Sequence, residues 1–331
     1  MADNFSPAEL YWRSKQPWLK THGYELRPRY QPDWVPSWIT NPPEEPVIGL
    51  LKREDYRWLN APTIIDATRV KDGVVVILKK IHKLGNSYDQ EAEISLYLSS
   101  SKLAGNSGNH CVPIYEMLEI PDDNNSAILV MPLLRHFSSP RFDTIGECMD
   151  FFQLIFKGLQ FIHQHNIAHC NDVLLNKMYT RTQRPPRYYW IDFGNSARFD
   201  PSNKAPRIAP LHGTDKSAPD FRRAKSGEEL DPFPTDIYYL GNLLRLRFTE
   251  GFPYLGYPRI YGLDFLKPLI DDMCVVRLDG IIRQQGSWTL RSQVWCSNDN
   301  IFGIIYRLCP HWARRLYYIV TRATPIPQGA D

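Results

Sequence analysis

The sequence predicts an α+β protein in which a small antiparallel β region carrying one helix is followed by a larger, mainly helical region. Two patterns support this fold class. Between residues 63 and 133, runs rich in β-branched residues alternate with turn residues. Further along the chain, apolar residues recur at helical spacing, most clearly in IGECMDFFQLIFKGLQFIHQHNI. The 331 residues are enough for one large two-part domain.

The small region is predicted over residues 47–132. TIIDATRV and VVVILKKI are two β-rich runs joined by a Lys-Asp-Gly turn, which is typical of a hairpin. QEAEISLYLSS follows with helical spacing, and CVPIYEMLEI and SAILVMPLL are two more predicted strands. We therefore expect a mostly antiparallel sheet with one helix.

The larger region is predicted over residues 133–331. Its first long helix has an apolar stripe formed by Ile145, Met149, Phe152, Phe156 and Leu159. A short strand, YYWIDFG, precedes a polar loop rich in Pro, Lys and Arg. Further helices are predicted at DIYYLGNLLRLRF, at FLKPLIDDM and, near the C-terminus, at PHWARRLYYIV.

Residues 1–46 are predicted to form an extension rich in Trp and Pro. Five of the nine tryptophans precede residue 60, which is too aromatic a composition for a solvated tail. The prolines of YELRPRYQPDWVPSWITNPPEEP oppose a regular helix there. We interpret the extension as a strap whose tryptophans pack on the main domain. The alternative is a proline-rich ligand for an aromatic groove of another protein.

Composition restricts the possible partners and location. A net charge of +3 is too small to indicate binding to nucleic acid or acidic lipid. The six cysteines are scattered without a CxxC pair, which favours reduced thiols. No apolar run approaches the roughly 18 residues of a membrane span, and the N-terminus lacks the apolar core of a signal peptide. We expect a cytoplasmic or nuclear protein with no membrane span.

Several motifs occur in an order that resembles the eukaryotic protein-kinase family. VVVILKK, HCNDVLLN, DFG and DIYYLG follow one another over roughly residues 50–275. More narrowly, NHCVPIYEML, LVMPLLR, GLQFIHQHNIAH, YWIDFG and DPFPTDIYYLGNLL resemble the fungal (basidiomycete) group of kinase-domain proteins. The resemblance implies a two-lobed fold and ATP-dependent phosphoryl transfer to protein hydroxyl groups.

The resemblance assigns residues to ATP binding. Lys79 matches the third-strand lysine that holds the α- and β-phosphates. Glu93 best matches the helix glutamate that pairs with this lysine, and Glu91 is the alternative register. Met131 and Leu134 fall at cofactor-binding positions where the LVMPLL strand ends. Without the resemblance, Lys79 would be a strand lysine that extends to water.

The resemblance also implies a Mg²⁺ site and a scaffold for the catalytic loop. Asn176 and Asp192 match the two metal ligands. His169 matches a residue with a structural role beneath the loop. Asp236 and Gly241, in DIYYLG, match a helix whose aspartate ties down the backbone of that loop. ATP and Mg²⁺ are thus the implied cofactors.

The motif of the catalytic loop departs from the family at two positions. Asn171 replaces the catalytic-base aspartate, and an amide does not take up a proton near neutral pH. General-base help is typically worth ~10²–10⁴-fold in rate. Asp172, one residue along, is a weak substitute because a one-residue step redirects a side chain. Cys170 replaces the arginine that would meet a phosphate on the activation loop, which argues against phosphorylation-controlled ordering.

Two further segments depart from the family. The phosphate lid aligns with Tyr56–Ile64, a stretch that lacks glycine and contains Trp58 and Pro62. Glycines let backbone N–H groups close over phosphates, so we expect a poor lid. After Met273 the Asp-Pro-x-x-Arg-Pro turn is missing, and Arg277 is the candidate replacement for its arginine.

The sequence supports competing functional hypotheses. We favour a pseudokinase that binds a protein partner, because the base, the loop arginine and the lid are lost together. The alternative is a low-turnover protein serine/threonine kinase, supported by Lys79, Asn176 and Asp192. A small-molecule kinase is disfavoured by the strings APD and DIYYLG.

Overall fold

The computed structural model describes part of the chain as two compact units. It describes residues 5–41, 59, 61–84, 87–121, 123–139, 141–142, 144–170, 173–175, 186–209, 217–219, 228–251 and 259–274. The first unit takes in the described residues up to 96 and those of 112–133, and the second takes in the others. The last change from the first unit to the second falls between residues 133 and 134, one residue after the predicted boundary between residues 132 and 133. The described residues of the predicted extension belong to the first unit.

The first unit is built on an antiparallel sheet with strand order β1-β2-β3-β6-β5, and the short β4 pairs with the end of β3. The strands are β1 (Tyr24–Leu26), β2 (Ile64–Arg69), β3 (Val74–Leu84), β4 (Ser87–Tyr88), β5 (Glu116–Glu119) and β6 (Ser126–Pro132). The predicted hairpin is confirmed, with Ile64 opposite Lys79 and Arg69 opposite Val74. Gly73 makes its turn with a φ of 69°, which a residue with a side chain rarely adopts.

The N-terminal segment, residues 5–41, contributes a helix and an edge strand to this unit. Helix α1 (Pro7–Thr21) starts with a capping box in which Ser6 and Glu9 each bond the other's backbone N–H. A 3₁₀ turn (Pro28–Tyr30) and the short α2 (Ser37–Thr40) follow β1. Residues 24–41 thus hold no long helix, as the prolines predict, whereas α1 was not predicted.

Apolar clusters cover both faces of the sheet. On one face, Trp12 and Leu19 of α1 join Ile65, Val76 and Leu78 in a buried cluster. On the other face, Ala92 of α3 (Gln90–Leu98) packs with side chains of β3 and β6: Ile81, Ala127, Leu129 and Met131. A second short helix, α4 (Ser101–Ala104), follows α3. The central strand β3 is therefore covered on both sides.

The second unit is mainly helical. Its helices are α5 (Ile145–Gln164), α6 (Pro232–Leu244), which continues into a π-helical turn (Arg245–Thr249), and α7 (Lys267–Cys274). Gly241 allows α6 to approach α7, because a β-carbon there would lie 2.6 Å from the Met273 β-carbon. Aromatic rings of Phe137, Phe151 and Phe248 stack in its core.

Short strands complete the second unit. They are β7 (Arg135–His136), β8 (Ile167–Ala168), β9 (Val173–Leu175), β10 (Tyr188–Trp190) and β11 (Ala197–Arg198). They form one sheet in the order β10-β9-β7 and a β8–β11 pair. Among the described residues, no helix has the length and apolar character needed to cross a membrane. The predicted C-terminal helix and Arg277 lie outside the described residues.

Candidate functional site

Lys79 is held in an ion pair on one face of the first unit's sheet. Its Nζ donates to Glu91 Oε1 in the first turn of α3. Both side chains are 14% exposed, so the pair is partly shielded from solvent. Asp89 caps this turn by accepting from the Ala92 N–H at 2.9 Å, which fixes the helix end that presents Glu91.

The partner of Lys79 is Glu91, the alternative register, and the preferred assignment to Glu93 is corrected. Residues two apart on a helix lie about 200° apart around its axis. Ala92 packs against side chains of β3 and β6, whereas Glu93 is exposed. The orientation of α3 therefore turns Glu93 away from Lys79. The number of residues between Lys79 and the two glutamates does not determine this orientation.

The two other predicted cofactor-binding residues lie near the end of β6. Met131 is half-buried, lies opposite Ile77 and packs against the cluster that includes Ala92. Leu134 is half-buried in the short link between β6 and β7. Met131 thus belongs to the same face of the sheet as Lys79.

One buried carboxylate anchors the backbone of His169 and Cys170, the two residues directly before Asn171 at the predicted base position. Asp236 of α6 accepts from the backbone N–H of His169 at 2.7 Å and from that of Cys170 at 2.6 Å. His163 Nε2 donates to the same carboxylate at 2.8 Å. The role that the resemblance implied for Asp236 is confirmed: this carboxylate fixes the backbone of the His169–Cys170 turn.

His169 has a structural environment, as expected. It is fully buried, and its Nε2 donates to the carbonyl of Ile191 at 2.8 Å. Its backbone carbonyl accepts from Ser196 Oγ at 2.8 Å. Its ring meets that of Phe193 edge-on at a centroid distance of 5.0 Å. His169 therefore ties the turn to the segment that contains Asp192 and Phe193.

The backbone of this site is held in unusual conformations. Cys170 and Asp192 both lie in the left-handed region, with φ values of 55° and 59°. This region costs residues with a β-carbon roughly 1–2 kcal/mol, although Asp tolerates it better than most. The Asp236 carboxylate offsets the cost at Cys170 by bonding that residue's N–H. Asp192 is exposed at the start of a 3₁₀ turn (Phe193–Asn195).

Cys170 is a buried thiol rather than a reactive one. It is 8% exposed, and burial together with the nearby Asp236 carboxylate raises the pKa of its thiol. A raised pKa keeps sulfur protonated at neutral pH and so poorly nucleophilic. Cys170 thus places a small, uncharged and buried group in this turn.

Of Tyr56–Ile64, the segment that aligns with the phosphate lid, the structure describes only a part. Leu59 and residues 61–64 are described. Here the carbonyl of Pro62 accepts from Trp12 Nε1 at 3.1 Å, and Leu59 packs against the cluster that contains Trp12. The chain entering β2 is therefore tied to α1.

Three predicted site residues, Asn171, Asp172 and Asn176, lie outside the described residues. His163, which donates to Asp236, was not predicted. The available signal was its position four residues after Leu159, on the buried stripe of α5, where a polar side chain needs a partner. Within the part of the chain that is described, no group of three or more His, Cys, Asp or Glu side chains is placed to hold a metal ion.

Comparison of the sequence with models of known protein families, and with curated proteins, gave no match.

Proposed function

We propose that this chain has a protein-kinase-like fold and acts as a pseudokinase, which binds ATP with Mg²⁺ but transfers phosphate poorly or not at all. The observation that carries the proposal is the Asp236 carboxylate bonded to the backbone of His169 and Cys170. This anchor holds a turn in place directly before Asn171, the residue at the base position. The loop scaffold is thus kept while the base is lost.

Lys79 is proposed to bind the phosphates of the nucleotide, and the resemblance to protein kinases implies Asn176 and Asp192 as ligands of Mg²⁺. The Lys79 ammonium is fixed by Glu91 on a sheet face with half-buried apolar side chains, which suits a ligand with both a base and phosphates. Carboxylate and amide oxygens are suitable ligands for Mg²⁺. ATP would supply the phosphoryl group, and Mg²⁺ would neutralise its charge.

The chain's own residues explain the proposed loss of turnover. Asn171 can orient a hydroxyl group by hydrogen bonding but does not accept its proton. The segment aligned with the lid has no glycine. The described part of that segment is tied to α1 through Pro62. These features weaken proton removal and phosphate positioning, and leave the Lys79–Glu91 ion pair intact.

The proposal is tested by thermal shift with ATP and Mg²⁺, together with incorporation of labelled phosphate into generic substrates and into the protein itself. We expect metal-dependent stabilisation without incorporation. Lys79→Met should remove the stabilisation. Lys80→Met is the matched control, because the adjacent residue points to the other face and contacts the Tyr11 ring at 4.1 Å.

A low-turnover serine/threonine kinase is the second candidate, and the complete Lys79–Glu91 ion pair favours it. Incorporation that Lys79→Met abolishes, and Lys80→Met does not, would establish this candidate and overturn the first. Asp172→Asn would then show whether Asp172 replaces the missing base. A gain of turnover in Asn171→Asp would show how much the base alone limits the rate. If ATP gives neither stabilisation nor incorporation, both candidates are wrong.

A further inference from the structure

The face of the sheet that carries Lys79 also carries a strip of apolar side chains. Ile64 lies opposite Lys79, and two residues along the strands Asp66 lies opposite Ile77, which lies opposite Met131. Residues directly opposite in an antiparallel sheet point to the same side. Ile64, Ile77 and Met131 are half-buried, so a ligand on this face meets apolar surface beside the lysine.

An ion pair from the N-terminal segment lies on the same face. In the pairing of β1 with β2, Leu26 is opposite Ala67, so Arg27 follows at the level of Asp66. Arg27 Nε lies 3.1 Å from Asp66 Oδ1, and the two side chains are 15% and 33% exposed. The row across the sheet is therefore Arg27, Asp66, Ile77 and Met131.

The residues of the two ion pairs are close enough in the sheet for one ligand to reach both. Asp66 is the diagonal neighbour of Lys79, and the α-carbons of such neighbours lie about 7–8 Å apart. A ligand whose aromatic base covered Ile77 would therefore lie beside both residues. The planar guanidinium of Arg27 stacks on or donates to such a base, and the Asp66 carboxylate accepts from its amino groups or from sugar hydroxyls.

We propose that Arg27 and Asp66 are ligand-binding residues of this face, so that the N-terminal segment supplies one wall of the site. The ligand class is a purine nucleotide whose base lies on the strip and whose phosphates reach Lys79. The proposal rests on the proposed function, because it requires a nucleotide at Lys79. It goes further because it assigns recognition of the base and the sugar to Arg27 and Asp66, which lie outside the motifs of the sequence.

The wall is held in place by the rest of the segment. Trp12 of α1 is fully buried, and its indole bonds the Pro62 carbonyl, two residues before β2 begins. β1 continues the sheet next to β2. Arg27 lies between β1 and the 3₁₀ turn Pro28–Tyr30, so regular structure flanks it on both sides.

The experiment is calorimetric titration of the 331-residue chain with Mg²⁺–ADP and, separately, with adenosine. Arg27→Gln should weaken the binding of both ligands about tenfold, because a charge-assisted contact to the nucleoside is lost. Asp66→Asn, which keeps the shape of the side chain, should weaken both similarly. Lys79→Met should weaken ADP binding but leave adenosine binding within about twofold, since adenosine has no phosphate.

The matched control is Arg69→Gln. Arg69 lies on the same strand as Asp66 but by alternation points to the opposite face, and it forms an ion pair with Asp72 of the following turn. This control should bind both ligands as the wild type does, with a similar melting temperature. Wild-type ADP affinity in Arg27→Gln and Asp66→Asn would overturn the inference alone. No binding of either ligand by the wild-type chain would overturn both the inference and the proposed function.

Discussion

The two units position their candidate ligand-binding groups in different ways. In the first unit, Lys79 lies on a strand that apolar clusters cover on both sides, and its own ion pair adds to that support. In the second unit, the His169–Cys170 turn is irregular backbone held by the Asp236 carboxylate. The hydrogen bonds of the sheet fix the position of a side chain on a strand, whereas irregular backbone needs other hydrogen-bond partners to hold it.

Backbone strain follows the same division. In the described part of the first unit, the residues with positive φ are Gly23 and Gly73, which adopt it without a steric penalty. In the described part of the second unit they include Asn166, Cys170 and Asp192. Strain at residues with side chains persists only where the surroundings enforce it, and such positions cluster at functional sites. The site of the second unit therefore depends on a few polar anchors.

The largest effect is expected from Trp12→Ala. Truncating this fully buried side chain should lower the free energy of unfolding by about 3–5 kcal/mol, through lost apolar contact and a cavity. Urea denaturation measures the change. Leu10→Ala, on the same helix but 53% exposed, should change stability by less than about 0.5 kcal/mol. Equal effects of the two variants would show that α1 does not complete the first unit's core.

The second effect is expected from Asp236→Asn. The substitution replaces one carboxylate oxygen by a donor that faces N–H groups, so the free energy of unfolding should fall by about 2–3 kcal/mol. Hydrogen exchange should rise in peptides over 163–170 and stay unchanged in those of β3. Asp264→Asn, at an exposed ion pair with Arg259, should have little effect on either quantity. Unchanged exchange over 163–170 would remove Asp236 as the anchor of the turn.

The sequence predicted the regular parts of the fold well. The strand pair over TIIDATRV and VVVILKKI and the stripe of α5 depend on local periodicity and on one glycine turn, so they are visible without tertiary information. Helix α1 was not predicted although Ser6 and Glu9 form a capping box, because the prolines and tryptophans of the segment indicate an extended chain.

The site was less predictable because its partners depend on orientation and long-range contact. Glu91 and Glu93 point to different sides of α3, and the packing of Ala92 against the sheet decides which of them faces Lys79. The bond from His163 to Asp236 joins residues 73 apart in the chain. Arg27 reaches the Lys79 face only because β1 pairs with β2 across a long stretch of sequence. Local patterns do not encode these pairings.

A pH-dependent effect is expected from Glu9→Gln. Burial alone raises the pKa of Glu9, but the bonds from Ser6 and Arg29 prevail and hold it below its ordinary value of 4.5. A lowered pKa means that this carboxylate stabilises the folded state above pH 4.5, and that the contribution is lost as pH falls through the folded-state pKa. At pH 7 the variant should lose about 1.5 kcal/mol, because Arg29 loses a charged partner.

Denaturation of wild type and Glu9→Gln from pH 7 down to pH 3 checks this expectation. The difference in free energy of unfolding should shrink below pH 4.5. Glu25→Gln is the control, since the Glu25 ion pair with Lys20 is largely exposed and worth less than about 0.5 kcal/mol. A difference that stays constant down to pH 3 would contradict the role of the charge.

The smallest effect is expected from Ser196→Ala, which removes a second polar contact of the His169–Cys170 turn. The Ser196 hydroxyl is buried and donates to the His169 carbonyl, so its loss should cost about 1 kcal/mol. Ser202→Ala, an exposed site, is the matched control. If one carboxylate dominates the anchor, Ser196→Ala should raise exchange over 163–170 much less than Asp236→Asn does. Equal increases would mean that the turn depends on the whole polar network, since removal of either member would then release it.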